Sequence, residues 1–102
     1  MHARFTQFRV LPGKLEDFRV AALSLIPIIR KQSGFRALVV MRAGETEGGD
    51  VVVVSVWNTL ADLRASEKNL FLYQAISRVV AFCEGFPLIR EHEVIVSEFA
   101  AG

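Results

Sequence analysis

Cysteine occurs once in the 102 residues, at Cys83. A lone thiol excludes an internal disulfide and a zinc cluster, and its apolar, helical surroundings point to packing rather than nucleophilic chemistry. Charge of one sign is also lacking, since twelve Lys and Arg face eleven Asp and Glu for a formal net charge of +1, with both signs scattered. No basic stripe results, which argues against a nucleic-acid partner. Long hydrophobic runs are missing too. The most apolar helical stretch, residues 20–29, contains Ser24 and Pro27 and is far short of the roughly 20 residues a membrane span needs. The opening MHARFTQFRV carries Arg4 and Arg9 and has no apolar run of signal-peptide length. Neither a Ser-His-Asp set, a phosphate loop, a dinucleotide fingerprint nor a metal-ligand spacing occurs, and the Gly48–Gly49 pair reads as a hairpin turn. The expectation is a soluble, cytoplasmic protein that uses no metal or cofactor and binds neither membrane nor nucleic acid.

What the chain has in abundance is apolar surface. Hydrophobic residues make up 52% of it and charged ones 23%, a high apolar share for a length that supports one domain, residues 1–102, with one core. Extra surface must be buried by self-association. The segment VVVVSVW at positions 51–57 concentrates this excess, with Ser55 its one polar side chain. Successive side chains of a strand point to opposite faces, so a half-buried strand should alternate apolar and polar residues. Here Val51, Val53, Ser55 and Trp57 take one face and Val52, Val54 and Val56 the other. Both faces therefore need an apolar neighbour.

The order of elements follows from changes of period. Residues 3–10 hold the β-formers Phe5, Thr6, Phe8 and Val10 and end at Pro12–Gly13. Leu15, Phe18, Ala22, Leu25, Ile26 and Ile29 then recur at helical spacing, predicting an amphipathic helix over about residues 13–31. Pro27 removes one backbone hydrogen bond inside it and should kink it or tighten its last turn. Gly34 is placed to end it in the left-handed conformation. Residues 35–42 read as a strand, 43–50 as a polar hairpin loop, and 51–57 as the next strand. Asn58 or Thr59 can cap a short helix carrying Leu60 and Leu63. A longer helix runs from near Asn69 to Cys83, with Leu72, Ile76, Val79 and Val80 on one side and Gly85 and Pro87 ending it. Residues 89–99 form the last strand.

Strand, helix, strand, strand, helix, strand is an α+β, ferredoxin-like βαββαβ arrangement: an antiparallel sheet with its first and third strands central and its helices on one face. The helices cover one face only. A second copy covers the other most economically, because two identical sheets pack face to face about a twofold axis. The predicted partner is therefore another molecule of the same chain, forming a homodimer through the sheet face.

Several short motifs carry a family likeness. Pro12–Gly13–Lys14 before a helix, Gln32–Ser33–Gly34–Phe35 opening the second strand, Val56–Trp57–Asn58–Thr59 closing the third and Glu91–His92–Glu93–Val94 in the fourth resemble the antibiotic biosynthesis monooxygenase family over nearly the whole chain. The resemblance implies a dimeric α+β barrel. It implies a range of activities: some members oxygenate reduced polycyclic aromatics to quinones without metal or flavin, some degrade haem, and others act on small quinols or signalling molecules. The quinone-forming members carry a tryptophan that matches Trp57 and an asparagine four residues earlier, where this chain has Val53. The haem-degrading branch uses an Asn, a Trp and a His at positions occupied here by Thr6, Ser66 and Ala75 or Ile76. With the axial ligand replaced, haem degradation is not expected.

The candidate residues each admit two readings. Trp57 lines a substrate pocket or anchors the core or interface. Asn58 contacts substrate or caps the following helix. Tyr73 offers a phenolic donor at the pocket or lies on the surface. His92, between Glu91 and Glu93 on a strand, faces either the pocket, as a general base, or the dimer layer, as a structural hydrogen-bonding group. Catalytic roles therefore fall to His92 and Tyr73 and substrate binding to Trp57 and Asn58. Arg42, Glu45 and Glu47 read as a solvated rim. The function these imply is cofactor-independent monooxygenation of a small aromatic or quinol-type metabolite, which needs a substrate able to supply the electrons as a stabilised carbanion or phenolate. The rivals are a non-catalytic small-ligand-binding or interaction module on the same fold, and an isomerase or decyclase-like activity of another barrel family.

Overall fold

The computed structural model describes residues 1–44 and 49–100. Residues 45–48 of the expected hairpin loop, with Glu45, Glu47 and Gly48, lie outside them. The elements run β1 (His2–Val10), α1 (Leu15–Ile29), β2 (Phe35–Arg42), β3 (Gly49–Trp57), α2 (Leu60–Ser66), α3 (Leu70–Val80) and β4 (Leu88–Glu93). The strands form a 4-stranded sheet in the order β2-β3-β1-β4, antiparallel throughout. This is the ferredoxin-like α+β fold expected, with β1 and β3 central. The sheet is open, and no barrel closes within one chain.

The pleat of β1 sorts its side chains cleanly. Thr6, Phe8 and Val10 are buried under the helices, while Ala3, Phe5, Gln7 and Arg9 take the opposite face by alternation. Phe8 meets Phe18 of α1 edge-on, with ring centroids 5.5 Å apart. From α1 the stripe Phe18, Ala22, Leu25 and Ile29 enters the core, and Leu63 of α2 and Leu72, Ala75 and Val79 of α3 complete it. Burying each of these larger side chains is worth about 1.5–3 kcal/mol.

Helix ends obey the local chemistry. Gly13 (φ 77°) turns the chain into α1, whose first turn holds Glu16 and Asp17 beside the positive helix end. At the other end Pro27 sits inside the helix. The last turn tightens as expected, with Lys31 N–H donating to the Ile28 carbonyl (3.3 Å) and Gln32 N–H to that of Ile29 (3.0 Å). Asn69 caps α3, its Oδ1 accepting from Leu72 N–H at 3.0 Å.

One corner ties the two halves together. Gly34 (φ 77°) leads from α1 into β2, and its carbonyl accepts from the amide of Asn58, at the end of β3, at 2.8 Å. A Cβ at Gly34 would collide with the carboxylate of Asp62 on α2. Of the two residues able to cap α2, Thr59 does so. Its Oγ1 accepts from Asp62 N–H at 3.0 Å and donates to Asp62 Oδ2 at 2.9 Å.

The last strand is shorter than expected. The sequence predicts residues 89–99, but β4 runs from Leu88 to Glu93 and the described residues beyond it have no regular structure. The cause is its neighbour: Glu93 pairs with His2, the first residue of β1, so only the bond from Val94 N–H to the Met1 carbonyl (3.0 Å) follows. A strand cannot outrun the backbone it bonds to. His2, a terminal residue in the sequence, is accordingly a half-buried member of β1.

Candidate functional site

Between the sheet and the helices the core leaves a cavity of about 90 Å³. Its walls are the inward faces of β1 and β3, the α1 stripe, and Leu72, Ile76 and Val79 of α3. Most of the lining is aliphatic or aromatic. Polarity is concentrated where Arg4, Thr6, Ser55, Trp57 and Ser66 meet it. Arg4 and Ser55 are direct partners across β1 and β3. The polar groups are partly committed: Trp57 Nε1 donates to Ser55 Oγ at 3.0 Å, and Ser66 Oγ donates to the Leu63 carbonyl at 2.6 Å.

A wider groove of about 690 Å³ runs along α1 and the edge strand β2. It is lined by Leu15, Leu23 and Ile26 among others, with Glu16, Arg19 and Arg42 as its charged residues. Arg19 grips Glu16 through Nε (2.9 Å) and Nη2 (2.8 Å), which holds the Glu16 carboxyl below its ordinary range. Groove and cavity share Phe18, Ala22, Leu38 and Val40, so the two adjoin along that wall. The groove has the volume of a metabolite site, roughly 300–1,000 Å³, and the cavity does not.

Trp57 is 1% exposed, edge-on to Phe35 at 5.5 Å, and is both a core anchor and part of the cavity wall. The structure does not bring the other candidates to it. Asn58 is exposed at the corner, accepting from Arg36 Nη1 at 3.3 Å. Tyr73 is 64% exposed on the outer side of α3. His92 pairs with Ala3, so it shares the sheet face of Phe5, which it meets edge-on at 6.3 Å. That face is opposite the cavity. Cys83 packs beside the core, where burial pushes its thiol pKa up.

Arg4 is not among the residues that residue type singles out, and Thr6 and Ser55 stand out in the sequence only as polar positions of strands. A signal was available, because His2, Arg4 and Thr6 stand in the same alternation register as the core residues Phe8 and Val10. Polar side chains on the buried face of a strand need a reason.

Val52, Val54 and Val56, with Phe5, Val39 and Met41, form an apolar outer face that no part of the described chain covers. Among the described residues no helix is long and apolar enough to cross a membrane.

Comparison with known proteins places this architecture. No curated protein sequence matches the chain. Among solved structures it is similar to SnoaB, a cofactor-independent oxygenase from Streptomyces nogalater, with TM-score 0.81 at 12% identity over 94% of each chain. It is similar also to a protein of unknown function from Nitrosomonas europaea, with TM-score 0.80 at 18% identity over 99% of this chain and 95% of that one. A Mycobacterium tuberculosis protein superposes with TM-score 0.79 at 14% identity over 94% and 96% of the respective chains. At such identities these likenesses establish the fold. The family is given by the sequence itself, whose residues 1–75 match antibiotic biosynthesis monooxygenase: with the helix-covered sheet and Trp57 at its third-strand end, the chain belongs to that family.

Proposed function

We propose that the chain works as a homodimeric, cofactor-independent monooxygenase of a small aromatic or quinol-type metabolite. The observation that carries this reading is the Trp57-walled cavity with a polar end, in a member of this family, lying against a groove of metabolite size. The balanced reaction takes a ring CH₂ and dioxygen to a ring carbonyl and water. One oxygen bonds to carbon, the other leaves with both hydrogens, and the substrate supplies the electrons. The protein's contribution is to hold the substrate in its deprotonated form, oriented and shielded from water. Trp57 shapes the volume. The groove would hold the body of the ligand and the cavity its oxygen-bearing edge, reached by displacement of the shared wall.

The apolar outer face supports the homodimer. A second sheet packed on it would bury Val52, Val54 and Val56 and place His92 and Phe5 in the layer between subunits. In that assembly His92 is an interface residue, and Tyr73 stays in solvent.

Val53 favours a second reading. It puts an aliphatic side chain in the cavity wall four residues before Trp57, which suits a binding module without chemistry. Oxygen uptake by the purified protein across a panel of quinols and hydroxylated polycyclics, with no metal or flavin added, separates the two. Turnover of any member, reduced at least tenfold in Trp57→Phe, is the expected result. A ligand that co-purifies and is never consumed supports the module instead.

A further inference from the structure

Arg4 is a cation placed where a cation is costly. It is the third residue of β1, on the helix-covered face, its side chain is 16% exposed, and it lines the cavity. Its guanidinium is divided. Nη2 is engaged by Glu67 Oε1 at the end of α2, whereas Nε is buried with no hydrogen-bond acceptor among the described residues. Buried donors of this kind are ordinarily satisfied. The other carboxylate near it, Glu91, is its partner across β4 and is held by Arg64 at 3.5 Å. Thr6 and Ser66 line the same cavity.

We propose that Arg4 Nε–H donates to an anionic oxygen of the ligand, in the cavity that Thr6 also lines, so that this end of the site selects phenols, enols and quinols in their deprotonated form; this rests on the cavity being part of the site described under Proposed function. The geometry chooses among anions. A carboxylate matches a guanidinium through two parallel N–H donors on adjacent nitrogens, and of the Nε–Nη2 pair Nη2 is already engaged by Glu67. A single-oxygen acceptor suits the Nε–H that is left in that pair. Glu67 lies at the surface, 41% exposed, and is screened by solvent. Arg4 acts across the drier interior, where its charge is felt more strongly. A bound phenol should therefore ionise at lower pH than the same phenol in water. The deprotonated form is also the one able to donate electrons to dioxygen. Arg4 would thus prepare the substrate without taking part in bond making.

The probe for this is 4-nitrophenol, whose phenolate absorbs visible light, with occupancy followed by the fluorescence of Trp57, the sole tryptophan. Bound to the wild-type protein it should ionise about one pH unit lower, a tenfold change in ionisation constant. Arg4→Met should abolish the shift. Glu67→Gln, which leaves Arg4 folded in place and removes its competitor, should enlarge it. Should Arg4→Met unfold, seen by circular dichroism, the Glu67→Gln result decides: an unchanged or smaller shift overturns the proposal. Probe that quenches Trp57 yet ionises at the same pH in wild type and Arg4→Met shows a water-filled or indifferent site, and overturns the role of Arg4 while leaving the cavity reading intact. Absence of any quenching at millimolar probe overturns both.

Discussion

The two faces of this sheet are built from neighbouring residues of the same strands and are organised in opposite ways. The face under the helices holds Trp57, Val51, Phe8 and Val10, and also Arg4, Thr6 and Ser55. The bare face holds Val52, Val54, Val56, Phe5, Val39 and Met41, with His92 at its β4 margin. The interior thus carries one cation and several hydroxyls among its apolar side chains, while the exterior, polar at Gln7 and Arg9, carries a broad patch of aliphatic side chains. A folded monomer optimised for water would reverse this. The inversion makes sense if the interior is where a ligand is handled and the exterior is an interior in waiting.

The contrast can be broken most severely from the covered side. Trp57→Ala removes the largest fully buried side chain and its hydrogen bond to Ser55. It should cost about 3–5 kcal/mol, read as a lowered urea midpoint with unchanged slope. A loss below about 1 kcal/mol would mean that the covered face is not packed as described.

On the bare side, Val54→Lys puts a charge between Phe5 and Val39, its neighbours on β1 and β2. An unpaired charge buried between subunits costs about 3 kcal/mol or more, so dimer affinity should fall on the order of 100-fold. Sedimentation at micromolar concentration should show a wild-type dimer and a mutant monomer. A wild-type particle of 11.4 kDa would remove the distinction between the faces altogether.

The smallest effects sharpen the contrast. His92→Ala deletes the edge-on contact with Phe5, worth about 0.5–1.5 kcal/mol, and should weaken dimerisation slightly while leaving any turnover intact. Tyr73→Phe, on the solvent side of α3, should stay within about 0.5 kcal/mol on stability and leave turnover unchanged. A large loss of turnover in either variant would relocate the chemistry away from the Arg4 end of the cavity.

How far the sequence reveals this depends on which physics is local. Period and capping are local, so β1, α1, β2 and the helix starts at Thr59 and Asn69 are readable residue by residue, as is the tightened turn after Pro27. The two-sided apolarity of 51–57 is local too, and it implies both the helix layer and the need for another. Register is not local. β4 stops at Glu93 because β1 begins at His2, although the residues 94–99 look like strand in isolation. The side to which His92 points follows from its pairing with Ala3, which alternation within β4 alone leaves undetermined. The pairing of Arg4 with Glu67, 63 positions apart, has no sequence signature. What is visible is the odd placement of Arg4 and Thr6 in the register of Phe8 and Val10, and residue-type reasoning that looks for histidines and tyrosines passes over it.

The bond from the Asn58 amide to the Gly34 carbonyl has a thermodynamic corollary. It joins the exit of the first crossover to the entrance of the second, so the two βαβ halves cannot part without rupturing it. Deuterium replacing that proton as slowly as the whole molecule opens would mark the halves as one cooperative unit, and faster replacement would mark the corner as a seam.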